Sequence, residues 1–148
     1  MLKKIPGILG PELIKVLMEM GHGDDIVIAD GNFPSASLAQ RLVRADGHGV
    51  PALLKAILEV FPLDSYVDSP VSLMDVVSGD PVKTPIWDEY HTIIKSSGEV
   101  FQQFEWIERF AFYERAKKAF AVIATSEPAP YANIILKKGC ISPSSLLT

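Results

Sequence analysis

The segment Gly21-His22-Gly23-Asp24-Asp25-Ile26-Val27-Ile28-Ala29-Asp30-Gly31-Asn32-Phe33-Pro34 carries the clearest structural pattern in the chain. Its centre, Ile26 to Ala29, is a short apolar, largely β-branched run without polar alternation, the pattern of a strand buried on both faces. Asp30 to Pro34 closes that strand with turn chemistry. On the N-terminal side, Leu13, Val16, Leu17 and Met20 recur at helical spacing, while Glu12, Lys15 and Glu19 take the other side. Pro11 suits the first helical position, where a missing N–H goes unfelt, and Gly21 suits the stop. Helix, tight turn, buried strand and polar loop together are the signature of an α/β layered fold.

Working outward, Pro51 to Val60 predicts a second amphipathic helix, with Leu53, Leu54, Ile57 and Leu58 on one face. Pro70 to Val77 predicts a strand, closed by Ser78-Gly79-Asp80-Pro81. Thr84-Pro85 has the form of an N-cap followed by a first-position proline. The helix behind it buries Ile86, Trp87, Tyr90, Ile93 and Ile94 and carries Asp88 and Glu89 near its positive end. A short strand over Phe104 to Ile107 and a helix over Arg109 to Lys118 follow. Strands over Ala119 to Thr125 and Asn133 to Lys137 are separated by Ser126-Glu127-Pro128-Ala129-Pro130. The expectation is one layered α/β/α domain with a mixed central sheet over residues 1–140, and a flexible, serine-rich tail over 141–148.

Composition bounds the function. A chain of 148 residues is one domain's worth, too short for a separate cofactor-binding module. Fourteen Lys and Arg against eighteen Asp and Glu leave a net charge of -4, which does not recruit a nucleic acid. No stretch approaches the ~20 apolar residues of a membrane span, and the first residues lack a signal peptide's apolar run. With one cysteine, Cys140, no intramolecular disulfide forms, and a cytoplasmic location is expected. Gly21 and Gly23 do not make a dinucleotide fingerprint, because Ile26 holds the third glycine's place and the turn precedes its strand. His22, His48 and His91 lack metal-site spacing, and no Gly-x-Ser-x-Gly marks a serine hydrolase.

In such folds ligands bind beyond the carboxyl ends of strands. Asp30 stands at one such end and Thr125 at another, ahead of the loop that reaches Tyr131. His22, between two glycines, is either an unobstructed proton-transfer group oriented by Asp24 or Asp25, or a solvated histidine at a helix stop. Arg109 and Tyr113 are four apart and share a helix face, either as ligand groups or on a solvated helix that packs Phe110, Phe112 and Tyr113 inward. Tyr131 and Asn133 flank Ala132 and point to one face if the extended strand begins there. Histidine, aspartate, arginine, tyrosine and asparagine without a phosphate loop suit a neutral polyhydroxyl ligand better than an anion.

Taken in order, these pieces resemble the ribose pyranase and fucose mutarotase family. The resemblance is carried by Glu12-Leu13 through Met20-Gly21-His22-Gly23-Asp24, by Ala29-Asp30 with Asn32-Phe33-Pro34, and by Arg44-Ala45-Asp46-Gly47. Arg109-Phe110-Ala111-Phe112-Tyr113-Glu114-Arg115-Ala116 with Lys118-Ala119-Phe120-Ala121 is similar to the fucose mutarotase branch, and Tyr131 to Gly139 to the closing motif of both branches. Gly31 departs from the alanine that the family's pattern leads one to expect after the aspartate, and the segment from Cys140 to Thr148 has no counterpart in the pattern.

The resemblance implies a cofactor-independent isomerase without a metal, interconverting the anomers of a free sugar, L-fucose first. It implies His22 as proton donor and Asp30 as a sugar-binding carboxylate. Arg109 stands where the ribose branch tends to have histidine, Tyr113 belongs to a fucose-type pocket, and Tyr131 and Asn133 hold sugar hydroxyls. Asp30 and Tyr131 both remain open as the base. A homo-oligomer is implied, the decameric ring among its forms, with sites near subunit contacts. The competing readings are a D-ribose pyranase that interconverts pyranose and furanose forms, and a non-catalytic monosaccharide-binding accessory protein. Mutarotation asks little of such a chain. Lowering a barrier of ~22 kcal/mol to ~16 requires roughly 10⁴–10⁵ in rate, which an acid, a base and orientation can supply.

Overall fold

The computed structural model describes residues 1–146. Six strands form one sheet: β1 (Asp25–Ala29), β2 (Leu42–Ala45), β3 (Val71–Met74), β4 (Glu105–Ile107), β5 (Ala121–Thr125) and β6 (Ile134–Lys137). Their spatial order is β2-β5-β1-β6-β3-β4. Five strands run the same way, and β6 runs against its neighbours β1 and β3. The sheet is therefore mixed, with its one reversed strand near the middle.

Strand periodicity sorts the core into two layers. Ile26, Ile28, Ile123, Ile134 and Leu136 face α1 (Pro11–Glu19), α3 (Val50–Leu58) and α4 (Ile86–Ser96). Val27, Ala29, Val122 and Ile135 face the other way, towards α2 (Ser35–Leu38) and α5 (Arg109–Lys118), meeting Phe33, Phe112 and Ala116. Helices on both faces bury β5 throughout and β1 from Ile26 to Ala29, which is why both read as unbroken apolar runs. This is the expected α/β/α arrangement.

An ion network fastens α5 over the sheet at the end where β1 begins. Arg115 Nε donates to Asp25 at 2.9 Å and its Nη1 to Glu105 at 3.0 Å, while Lys137 Nζ reaches the other Asp25 oxygen at 2.9 Å. Asp25 and Lys137 are direct partners in the β1–β6 register, so the network also pins that register.

Several local expectations are corrected. Neither α2 nor β2 was anticipated: α2 is a single turn, and β2 is an edge strand of four residues with Arg44 exposed. The expected strand over Pro70 to Val77 shortens to Val71–Met74. Thr84 does not cap α4 through its side chain; Pro85 holds the cap position, and the Thr84 carbonyl accepts from Trp87 N–H. Phe110 points outward, 65% exposed, because the buried stripe of α5 is the Phe112–Ala116 pair one turn apart. In the tail, Pro143–Leu146 forms an exposed turn of 3₁₀ helix, and residues 147–148 lie outside the described residues.

Candidate functional site

Because β6 is reversed, the residues that lead into it stand beside the residues that follow β1 and β3. The backbone therefore brings Asp30, Asn133 and Tyr131 to one end of the sheet, and the first two turns of α5 add Arg109 and Tyr113. These five side chains line a cleft of about 290 Å³, floored by Phe33 and Met74. That volume sits at the lower edge of small-molecule sites, a size suited to a monosaccharide. The groove between α3 and α4, lined by Leu58 and Ile93, is larger at about 450 Å³, but the charged residues that line it are the exposed Lys55 and Glu59, and no buried carboxylate or guanidinium faces it.

Asp30 is the electrostatic centre of the cleft. It is buried, and one carboxylate oxygen accepts from Asn32 N–H at 3.0 Å. Burial pushes its carboxyl above the ordinary aspartate range, although hydrogen bonds from the Asn32, Ala132 and Phe33 backbones and the Asn133 side chain pull the other way. The Asn133 side-chain oxygen accepts from Asp30 N–H at 2.8 Å, so Asn133 is oriented by the strand junction itself.

Arg109 Nε donates to the Tyr113 hydroxyl at 3.0 Å, one helical turn away. Its Nη groups have no hydrogen-bond partner among the described residues and remain for a ligand oxygen. Glu108 holds the start of α5 by accepting from Phe110 and Ala111 N–H, and so fixes where Arg109 leaves the helix. Tyr131 donates its hydroxyl to Asp80 at 2.7 Å, and that bond raises the phenol's pKa. Its backbone is left-handed, φ 52°, so the expected extended geometry does not begin at Tyr131. Tyr131 and Asn133 nevertheless line the same cleft.

His22 lies elsewhere. It is exposed in the turn before β1, whereas Asp30 follows that strand, and a five-residue strand is about 17 Å long. Neither Asp24 nor Asp25 orients the ring. Asp24 accepts from Gly21 N–H and Asp25 is held by Arg115 and Lys137, so the ring's partner is Asp64, with His22 Nε2 3.1 Å from its Oδ1. Burial alone would raise the Asp64 carboxyl, but Tyr66 N–H and His22 outweigh it and hold it below the usual range. Tyr66 lies against the imidazole with ring centres 5.4 Å apart, and is itself 79% exposed.

Thr125 is a strut and not a ligand group. Its hydroxyl donates to the Ala29 carbonyl at 2.7 Å and accepts from Glu127 N–H, tying β5 to β1 just behind Asp30. Glu127, in a segment whose sequence reads only as loop, is buried and accepts from Val50 N–H at the start of α3 and from Ala129 N–H. Asp64 and Asp80 were also missed as partners. Asp80 sits in a recognisable turn, but nothing local ties it to Tyr131, 51 residues away. Among the described residues no three His, Cys, Asp or Glu side chains converge as a metal site needs, and no helix is long and apolar enough to cross a membrane.

Residues 3–141 match the model of the RbsD / FucU transport protein family. The chain is 51% identical to the fucose mutarotase of Homo sapiens over 99% of its own length and 98% of that protein's. The crystal structure of the fucose mutarotase of Streptococcus pneumoniae in complex with L-fucose superposes with a TM-score of 0.91 at 52% identity, covering 95% of this chain and all of that one. The Bacillus subtilis RbsD complexed with D-ribose shares the fold more distantly, with a TM-score of 0.73 at 25% identity over 96% of this chain and all of that one.

Proposed function

The chain belongs to the RbsD/FucU family, and from that premise we propose that it is an L-fucose mutarotase. It is an isomerase that interconverts the α and β anomers of the free sugar by opening and reclosing the ring. The observation that carries the reading is the cleft at the reversed strand. There a buried carboxylate, a guanidinium, two phenols and a carboxamide converge on a space of monosaccharide size. Arg109 with Tyr113 gives the fucose reading its advantage over the ribose one, in line with the higher identity to the fucose-bound structure.

The chemistry distributes over these groups as follows. Asp30 takes the proton of the anomeric hydroxyl; its raised pKa makes it a stronger base than a solvated aspartate. As the exocyclic oxygen becomes a carbonyl, the bond from the anomeric carbon to the ring oxygen breaks, and an acid protonates that oxygen. Rotation about the bond from the carbonyl carbon to its neighbour presents the other face, and the reverse transfers close the ring. Arg109 steadies the negative charge that develops on oxygen. Tyr131, committed as a donor to Asp80, serves as an acceptor for a sugar hydroxyl and not as the base. Asn133 supplies the neighbouring hydrogen bonds.

The acid is His22. Since His22 and Asp30 lie at opposite ends of β1, the chain works as a homo-oligomer in which the histidine of one copy reaches the cleft of another, the decameric ring being the arrangement we favour. Residues 1–140 act as one mutarotase domain, and the single exposed thiol of Cys140 suits the cytoplasm. The decisive experiment is NMR saturation transfer between the anomeric protons of L-fucose, with D-ribose alongside. Transfer that grows with protein in fucose and stays flat in ribose is expected. Transfer confined to ribose would move the protein to the pyranase branch, and binding without transfer would leave a sugar-binding accessory.

A further inference from the structure

Tyr131 is one of two non-glycine residues with positive φ among those described, the other being Lys4 near the N-terminus. A side-chain-bearing residue stays left-handed only where its surroundings over-determine it. Here the determining groups come from α4. The Trp87 indole Nε1–H donates to the Tyr131 carbonyl at 2.8 Å, and the Tyr90 hydroxyl donates to the next carbonyl, Ala132, at 2.7 Å. Trp87 and Tyr90 are three apart, on one face of the helix, so two successive carbonyls are gripped by one rigid element. Neither side chain lines the cleft.

We propose that Trp87 and Tyr90 are positioning residues for the sugar cleft, clamping the Tyr131–Ala132 carbonyls so that the left-handed turn aims the Tyr131 phenol at the ligand. The clamp is separable from packing. Trp87 is half-buried and rests against Trp106 with ring centres 4.6 Å apart, a contact that needs the ring and not its N–H. Tyr90 is fully buried among the helix contacts, yet its hydroxyl finds its acceptor on the site loop instead of on α4. With Asp80 holding the phenol from the far side, Tyr131 is fixed at both ends. A ligand group held in this way loses little freedom when sugar binds, which is the advantage of preorganisation.

This inference rests on reading the cleft as the L-fucose site, and its test separates the two. Exchange between L-fucose anomers is first measured on the full wild-type chain; its absence would overturn the functional reading. Tyr90→Phe then removes one donor and keeps the ring, and Trp87→Phe removes the indole N–H while leaving a smaller aromatic ring, so Tyr90→Phe is the cleaner of the two variants. Each is expected to raise KM for L-fucose by about five- to tenfold with kcat within about twofold, and to shift the Tyr131 backbone amide resonance in the sugar-free protein. In a Tyr131→Gly background, where the left-handed turn needs no enforcement and no phenol is aimed, Trp87→Phe is expected to add nothing further. An unchanged KM and an unmoved Tyr131 resonance in both folded variants would overturn the clamp, as would an undiminished effect of Trp87→Phe in the glycine background. If Trp87→Phe does not fold, Tyr90→Phe decides the matter by the same two readouts.

Discussion

The backbone N–H of Asp30 donates to the side-chain oxygen of Asn133 at 2.8 Å, across the junction where β1 ends and β6 begins. The bond joins residues 103 positions apart and makes the orientation of the carboxamide a property of the sheet. Asn133→Ala leaves a buried N–H unpaired, at a cost of about 1–3 kcal/mol. For a chain of this size each kcal/mol lowers the melting temperature by roughly 2–4 °C. Calorimetry is expected to find that fall, together with weaker L-fucose binding by titration; an unchanged melting temperature would show that the bond contributes nothing.

His22 and Asp30, the proposed acid and the proposed base, lie at opposite ends of one strand, which allows a direct genetic test. His22→Gln and Asp30→Asn are each expected to lower anomer exchange by about 10²-fold or more. Co-expressed, the two variants assemble sites that pair an intact histidine with an intact aspartate, and part of the activity returns. If mixed assemblies stay as inactive as either parent, a histidine supplied by a second copy is wrong.

The burial of Asp30 sets a pH dependence whose sign is fixed. Its carboxyl is raised in the folded chain, so the ionised base is lost sooner as pH falls, and the acid limb of the activity profile is expected above the ordinary aspartate value of about 3.9. The same shift acts on stability. The contribution of a raised group is fully present below the unfolded pKa and disappears as pH rises through the folded one. Relative to wild type, Asp30→Asn should therefore gain stability between about pH 3 and pH 7, measured by urea unfolding at each end. A difference that shrinks over that range would contradict the burial argument.

Gly139 carries a steric demand. A Cβ at this position would collide with the Leu63 carbonyl and fall 2.9 Å from the Asp64 Cα, backbone atoms that cannot turn aside. Gly139→Ala is expected to destabilise by about 1–3 kcal/mol and to displace Asp64, the partner of the His22 ring. Thermal unfolding and the His22 imidazole resonances in NMR report the two effects separately.

How much of this was legible depended on how local the cause was. β1 and β5 stand out because strands covered on both faces are continuously apolar, whereas the Glu108 cap that starts α5 carries no mark in the sequence reading. β2 escaped notice since four edge residues, only one of them fully buried, carry too short a pattern. Phe110 misled because an aromatic on a short helix looks like core until the Phe112–Ala116 stripe is seen. In the cleft, strand-end and helix-face logic marked Asp30, Arg109, Tyr113, Tyr131 and Asn133 as polar groups at usable positions. Their meeting depends on strand order, which no local spacing encodes. The partners Asp64 of His22 and Asp80 of Tyr131 act across 42 and 51 residues and were invisible for the same reason.

The reversed strand also decides when the enzyme comes into being. β6 is the last strand of the sheet in chain order, yet it lies between β1 and β3, near the centre of the sheet. A nascent chain that has emerged only as far as Pro130 can pair β1 with β5 and β3 with β4, but these two half-sheets have no strand to join them. Translation thus leaves two open apolar edges facing each other until the final segment arrives between them. Closing that gap sets Tyr131 and Asn133 beside Asp30, so for this chain finishing the core and finishing the cleft are one event.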